Sequence, residues 1–541
     1  MAQQQQNIFV AAPGFAGLNT QDSPVGMDIT YASIADNCVI DNLGRIAARK
    51  GFNAFTENPF AAGVDTVPIV SSFIFQDDTG TEHILGAGNN KIYRQLPDGQ
   101  LVELTLPVGY PTPITDDDWQ FVQLQDVCYM VQAQQAPLKY DDVATPGTYV
   151  LSEWAELPTA LPTVPDDIGY PNAITAGFGR IFCGDFDANK SYWTWSNLLD
   201  GDSYTDYDAG NFDLSLFWPR GYDEIVSIRV HNSFMIIWGK ESILLYAIPD
   251  SGPVDAILQD TIEGIGCAAR DSVQPTGSDV YFLDYTGVRL LSRTIQEKSI
   301  PLGDVSINVR DDIQKLIVNT DNRNIRAVYD PDNSFYAVFF PESTGNLSET
   351  YVFDTRVSLE NGGQRPTRWP STAIFSATRS IDDTTWYTGV GGFYRYTGYN
   401  DVTKTSDTVG AREVASYPLA YYTHPQTWDQ PVNLKFPKQV DLTVIGGQQF
   451  NLCLSWYFDY ELTPSSFCRF IDRGRIWEYS ADDSQYGLDS EYSGASDAIS
   501  TEQFNVWGNG RNIKFGFDTD ISGTQLSFQE LNIQALFGRI I

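Results

Sequence analysis

Apolar and polar residues alternate with period two along most of the chain. The runs are built from Val, Ile, Phe, Tyr, Trp and Thr and end at Gly, Asn or Asp. Ser233-Phe-Met-Ile-Ile-Trp238 and Asn451-Leu-Cys-Leu-Ser-Trp-Tyr457 are typical. Helical periodicity is scarce; the pattern predicts one helix over 305–318, with Ile307, Ile313, Leu316 and Ile317 on one side. The class is all-β.

One unit recurs: a short apolar strand, a polar or Gly turn, and a second apolar strand. Its turns are centred near Asn89, Gln134, Asp187, Lys240, Thr286, Asn333 and Gly391, roughly 45–60 residues apart. That is the scale of one four-stranded propeller blade. The hairpins alone also fit a β-sandwich; their sustained spacing favours a β-propeller of five to seven blades over residues 60–410. From 411 to 541 the strands lengthen, as in Gln439-Val-Asp-Leu-Thr-Val-Ile445, which predicts an additional C-terminal β-sandwich platform domain. Residues 1–59 form an N-terminal segment associated with that platform.

Charge narrows the function classes. The 541 residues carry 34 Lys and Arg against 69 Asp and Glu, a formal net charge of −35. This argues against a protein that grips phosphate backbones or anionic membranes, since both need clustered cations. It fits high solubility, or a conduit that nucleic acid passes without sticking. Six cysteines are scattered without a CxxC pair, and the expectation is buried free thiols in a protein made in a reducing cytoplasm. Met1 to Phe9 lacks the regions of a signal peptide, and no run of about 18 apolar residues exists, so no membrane anchor is expected.

Catalytic motifs fail one by one. The three histidines, His83, His231 and His424, lie in no metalloprotease, zinc-finger or triad context. The segment Gly184 to Ser191 imitates a phosphate-binding loop, but Asn189 stands where the second Gly is needed. The same stretch imitates the start of a calcium loop with Lys190 in place of the required Gly. A hairpin turn explains it better. Carboxylates are often adjacent, as in Asp116-Asp117-Asp118, but in so acidic a chain adjacency carries little information. The chain reads as no enzyme and as needing no cofactor. A glycan- or receptor-binding propeller presenting Trp193, Trp195 and Trp218 on loops is the alternative, and a glycosidase-type enzyme comes after it.

Two segments invite a contact role. Glu478, Asp482, Asp483, Asp489, Glu491, Asp497 and Glu502 form a stretch without Lys or Arg, interleaved with Tyr479, Tyr486 and Tyr492. Its plain reading is a solvated loop; its functional reading is an acidic channel or interface loop. Near the N-terminus, Asp36-Asn37 precedes a short apolar run, a turn at Asp41-Asn-Leu-Gly44, and the basic cluster Arg45, Arg49 and Lys50. Asn and Gly accept left-handed backbone angles, so this reads as strand, tight turn, strand. Asp36, Asn37, Arg45, Arg49 and Lys50 are candidate subunit or adaptor contacts. A solvated hairpin end is the plain alternative.

The segment Gly17-Leu-Asn through Asp22-Ser-Pro24, Ala35-Asp-Asn37, Asp41-Asn-Leu-Gly44 and Arg49-Lys-Gly51 resembles the N-terminus of phage tail nozzle proteins. These are also called tail tubular protein B, with related hub proteins that stabilise packaged DNA in short-tailed phages. The blade-like stretches near Gln134 to Tyr140 and Trp238 to Ile243 resemble the same family. The resemblance implies a virion tail protein assembled in the bacterial cytoplasm. It implies a homohexamer below a dodecameric adaptor, near tail fibres or spikes, extending and gating a channel for double-stranded DNA in transit.

Overall fold

A computed structural model describes residues 4–57, 68–141, 149–156, 168–204, 208–297, 304–342, 347–380, 384–404, 412–472 and 499–538. Seven sheets follow one another in the central region, and most begin at a strand that packs against the first strand of a neighbouring sheet. Blades 1 to 4 are complete four-stranded meanders whose first strands are Ile69–Gln76, Gln120–Leu124, Pro171–Gly177 and Ile225–His231. Blade 5 is three-stranded and opens with Gln274–Pro275. Blades 6 and 7 open with Arg326–Asp330 and Ile374–Arg379.

Each predicted turn lies inside one blade. Asn89, Gln134 and Asn333 bound or lie in turns between paired strands, and Asn89 and Gln134 hold the positive φ that such turns require. The seven spaced hairpins therefore became seven blades. Apolar clusters run between consecutive blades, and one of them joins Trp386 and Phe393 of blade 7 to Ile69, Ile74 and Ile84 of blade 1. Another packs Ile236 and Trp238 of blade 4 on Phe282 of blade 5. Dry contact between sheet faces is what holds a propeller together.

The last blade is completed by the start of the chain. Phe52–Ala54 pairs antiparallel with Gly392–Tyr396 and forms the fourth strand of blade 7. The N-terminal segment thus contributes to the propeller as well as to the platform sheets. Gln4–Ala11 pairs along its whole length with the C-terminal strand Leu526–Phe537. Tyr31–Asp36 lies between Arg365–Thr372 of blade 6 and Tyr417–Thr423 of the platform, joining them in one ten-stranded sheet.

The platform is a sandwich. One face consists of the six-stranded sheet around Lys435–Gly446 and Leu526–Phe537. The other is the far half of the ten-stranded sheet, with Gln449–Phe458 and Ile513–Ile521. Alternate residues such as Val440, Leu442, Leu452, Leu454, Phe515 and Ile533 point between them and are fully buried. Phe517 and Phe528 meet across the two sheets with ring centroids 4.1 Å apart.

The predicted helix is present as a short 3-10 turn, Ile307–Val309, running into the helix Arg310–Asn319. Ile313 and Ile317 are its buried residues. The expectation of six free thiols is corrected: Cys453 and Cys468 form a disulfide. They stand directly opposite on antiparallel strands with Cα atoms 3.9 Å apart, a proximity that their 15-residue separation does not reveal. Cys38, Cys128, Cys183 and Cys267 are free and buried, and burial pushes the Cys183 and Cys267 thiols up to about 12.

Candidate functional site

The propeller axis is the most chemically organised place in the molecule. Side chains from separate blades meet there: buried Asp118 at the entry to blade 2, buried Arg270 and half-buried Asp271 at the entry to blade 5, and buried Arg326 at the start of blade 6. The Nη2 atoms of Arg270 and Arg326 donate to Asp118 Oδ1 at 2.5 and 2.6 Å. Asp271 Oδ2 accepts from Arg270 Nη2 at 2.8 Å and also from Arg326 Nη1. Its Oδ1 accepts from Gln120 Nε2 at 3.0 Å, while Arg270 Nη1 donates to Asn172 Oδ1 at 2.6 Å. Arg326 Nη2 reaches on to Ser71 Oγ at 3.0 Å, so blades 1, 2, 3, 5 and 6 are tied at one point.

Burial alone would raise the Asp271 carboxyl, but the charges of Arg270 and Arg326 outweigh it and hold the group well below the usual range. Burial raises the Asp118 carboxyl, against the pull of the same two guanidinium groups. Its neighbours differ again. Asp116 is within 3.7 Å of Arg323 at the surface, whereas burial pushes Asp117 up to about 7, with Asp116 adding to the rise. Three adjacent aspartates thus have three distinct environments.

The cluster stands between two axial cavities. One, of about 320 Å³, is lined from the inner strands of six blades, including Ser71, Gln120, Arg229, Asp271, Arg326 and Arg379. The other, of about 530 Å³, is lined by Asp118, Asp185, Lys190, Glu224, Lys240 and Arg270 among others. Asp185 and Glu224 are ion-paired there to Lys190 at 2.9 Å and Lys240 at 2.6 Å. The stretch that imitates a phosphate loop is the hairpin joining Arg180–Phe186 to Tyr192–Trp195, as expected. Its Asp187 Oδ2 accepts from the backbone N–H of Gln134 at 3.0 Å and latches blade 3 to blade 2. Among the described residues, no group of three His, Cys, Asp or Glu side chains is placed to hold a metal ion, and no helix is long and apolar enough to cross a membrane.

The N-terminal candidates occupy the joint between propeller and platform. Asn37 adopts φ 52°, donates through Nδ2 to Pro418 O at 2.8 Å and accepts from Arg49 Nε at 3.0 Å. Arg49 is only 2% exposed. It forms a two-pronged pair with Asp401, at 2.9 and 2.6 Å, and lies 3.9 Å above the Tyr417 ring. Asp36 accepts two bonds from Arg368, both 2.9 Å, across the parallel junction of blade 6 and the platform. These three residues are therefore committed within the chain. Arg45 pairs with Asp41 at 2.6 Å in the turn, and Lys50 is half-buried beside the Tyr396 ring.

Of the acidic stretch, Glu478, Asp482, Asp483, Asp489, Glu491 and Asp497 lie outside the described residues. Glu502 is on Ile499–Asn505, nearly buried, with Arg469 at 3.4 Å and a hydrogen bond from Ser500. The surface aromatics of the glycan-binding alternative are corrected: Trp193, Trp195 and Trp218 belong to the buried cluster between blades 3 and 4. Alternation on a blade turns such residues inward, and nothing in the local sequence distinguishes a loop Trp from one on a sealed face.

No protein-family model matches the chain, and no curated protein matches it. Among solved structures, it is similar to virginiamycin B lyase from Staphylococcus aureus at 14% identity and TM-score 0.32, over 62% of this chain and 96% of that one. A catalytically inactive variant of that lyase with quinupristin gives the same identity and TM-score, over 62% and 95%. The extracellular domain of a putative hybrid two-component system from B. thetaiotaomicron is similar at 11% identity and TM-score 0.29, over 69% and 57%. Likeness at this level carries no argument about activity; the β-propeller stands on the chain's own sheets and their packing.

Proposed function

We propose that the chain is a virion structural subunit, a tail nozzle or hub that forms a hexameric ring below the head-to-tail adaptor. The observation that carries the reading is the way the resembling segment, Gly17 to Gly51, is used. It is the joint itself: it supplies strands to both platform sheets and runs directly into the strand that completes blade 7. A part that transmits force between a ring and an outer lobe needs such a joint, because strand pairing resists shear better than a flexible linker.

The propeller axis also bears on where DNA would travel. The axis is divided by Asp118, Arg270, Asp271 and Arg326, and its cavities measure about 320 and 530 Å³. A duplex, whose major groove alone is about 12 Å wide, does not pass through such a tunnel. The channel is therefore formed between copies, with an acidic surface that favours sliding over binding. Arg45 and Lys50, both half-buried at the joint, are the members of the basic cluster left to meet a neighbouring subunit or the adaptor. Assembly takes place in the host cytoplasm and the product resides in the virion tail, beside fibres or spikes.

Negative-stain imaging of the full-length chain mixed with adaptor rings tests this. Six-fold rings seated on the adaptor are expected. Unoccupied adaptor rings beside free monomers at micromolar concentrations of both would overturn it.

A further inference from the structure

The smaller axial cavity has the wrong charge for the molecule that contains it. The chain as a whole has a net charge of −35, yet Arg229 and Arg326 line this space against one carboxylate, Asp271. That carboxylate is already engaged on both oxygens, by Gln120, Arg270 and Arg326. Arg326 is saturated in turn, with Asp118, Asp271, Ser71 and the carbonyls of Val70 and Arg323 as acceptors.

Arg229 differs from the others. It lines the cavity from Ile225–His231 of blade 4, and among the described residues its one hydrogen bond is to Ile174 O at a long 3.5 Å. A guanidinium carries five N–H donors in a planar fork shaped for oxyanions. Burial lowers its affinity for the proton, Asp271 opposes that, and the nearby Arg270 charge adds to it. The half-buried guanidinium is left short of acceptors until an anion or a set of polar groups completes it. Ser72, Ser376 and Thr378 line the same cavity, with the Ser72 and Ser376 hydroxyls 3.4 Å apart, and hydroxyls suit the remaining oxygens of a ligand.

We propose that this cavity is a binding site for a small oxyanion-bearing molecule, a phosphate or carboxylate held by Arg229. The volume of about 320 Å³ admits an anion on a compact polar body and excludes a nucleic-acid duplex. The site is independent of the nozzle reading, since it rests on one protomer's axis and not on assembly.

The test is titration calorimetry on the full-length protein with inorganic phosphate, glucose 6-phosphate and gluconate, against chloride at matched ionic strength. One-to-one binding of at least one oxyanion is expected, with affinity falling tenfold or more in Arg229→Gln. Phosphate against gluconate distinguishes the two ligand chemistries. A thermal melt of Arg229→Gln without ligand keeps the result interpretable: removal of an uncompensated cation should leave the melting temperature unchanged or higher, and ligand should no longer raise it. Heats equal to those of chloride for all three probes, or binding unaltered in Arg229→Gln, would overturn the proposal.

Discussion

Arg49 is buried at the joint and Arg229 half-buried on the axis, and the molecule treats them in opposite ways. At the joint, Arg49 has a two-pronged carboxylate partner, the Asn37 side chain, the Lys50 carbonyl and a tyrosine ring. Burial would lower its proton affinity, but Asp401 reverses that and the guanidinium is held above its ordinary value. On the axis, Arg229 has one long contact to a carbonyl and is held below its ordinary value, chiefly by burial. A complete set of partners marks a structural fastening. An incomplete one marks a place where something else is meant to bind.

The comparison can be broken by removing partners. The largest effect is expected at the axial cluster, where Asp118→Asn leaves the two guanidinium groups of Arg270 and Arg326 sharing the single charge of Asp271. A loss of about 3–5 kcal/mol is expected in urea unfolding, far above the effect of a surface aspartate. Because Asp271 is depressed, its contribution is fully present above the unfolded carboxylate range and disappears only as pH falls through its folded value, in strong acid. Next comes the joint: Arg49→Ala should cost about 2–3 kcal/mol, since the partly exposed Asp401 is screened by water once its partner is gone.

Asp117 sharpens the contrast with the opposite sign. Its folded value near 7 lies above the unfolded one, so the folded state binds the proton more tightly and stability falls as pH rises from about 4 to 7. Asp117→Asn should remove that slope and raise stability at pH 8 by on the order of 1–2 kcal/mol, read from melts across that range. The smallest effect is expected at Arg45→Glu. Loss of its turn pair with Asp41 should change monomer stability by less than about 1 kcal/mol, while adaptor docking weakens.

Much of the fold was legible because local signals agreed with it. Turn residues at Asn89, Gln134 and Gly391 sit between strands of the right period, and each hairpin needs only nearby residues to be recognised. The helix at Arg310–Asn319 announced itself through Ile313 and Ile317 in the same way. What escaped is non-local. Phe52–Ala54 joins a blade whose other strands begin at Ile374, and Gln4–Ala11 pairs with residues beyond 525. No periodicity reports such partners. The axial cluster is hidden for the same reason: Arg270 and Arg326 are separated by 152 and 208 residues from Asp118, the carboxylate they share. Asp118 looks identical to Asp116 and Asp117 in the sequence, and only the packing of seven blades separates their chemistry.

The central claim is that this chain is a ring-forming part whose DNA channel lies between copies. Native mass measurement of the full-length protein, alone and after mixing with the dodecameric adaptor, tests it most directly. The account predicts a complex holding six copies of the 60.3 kDa chain on each adaptor ring. A protein that stays monomeric in both conditions would contradict it.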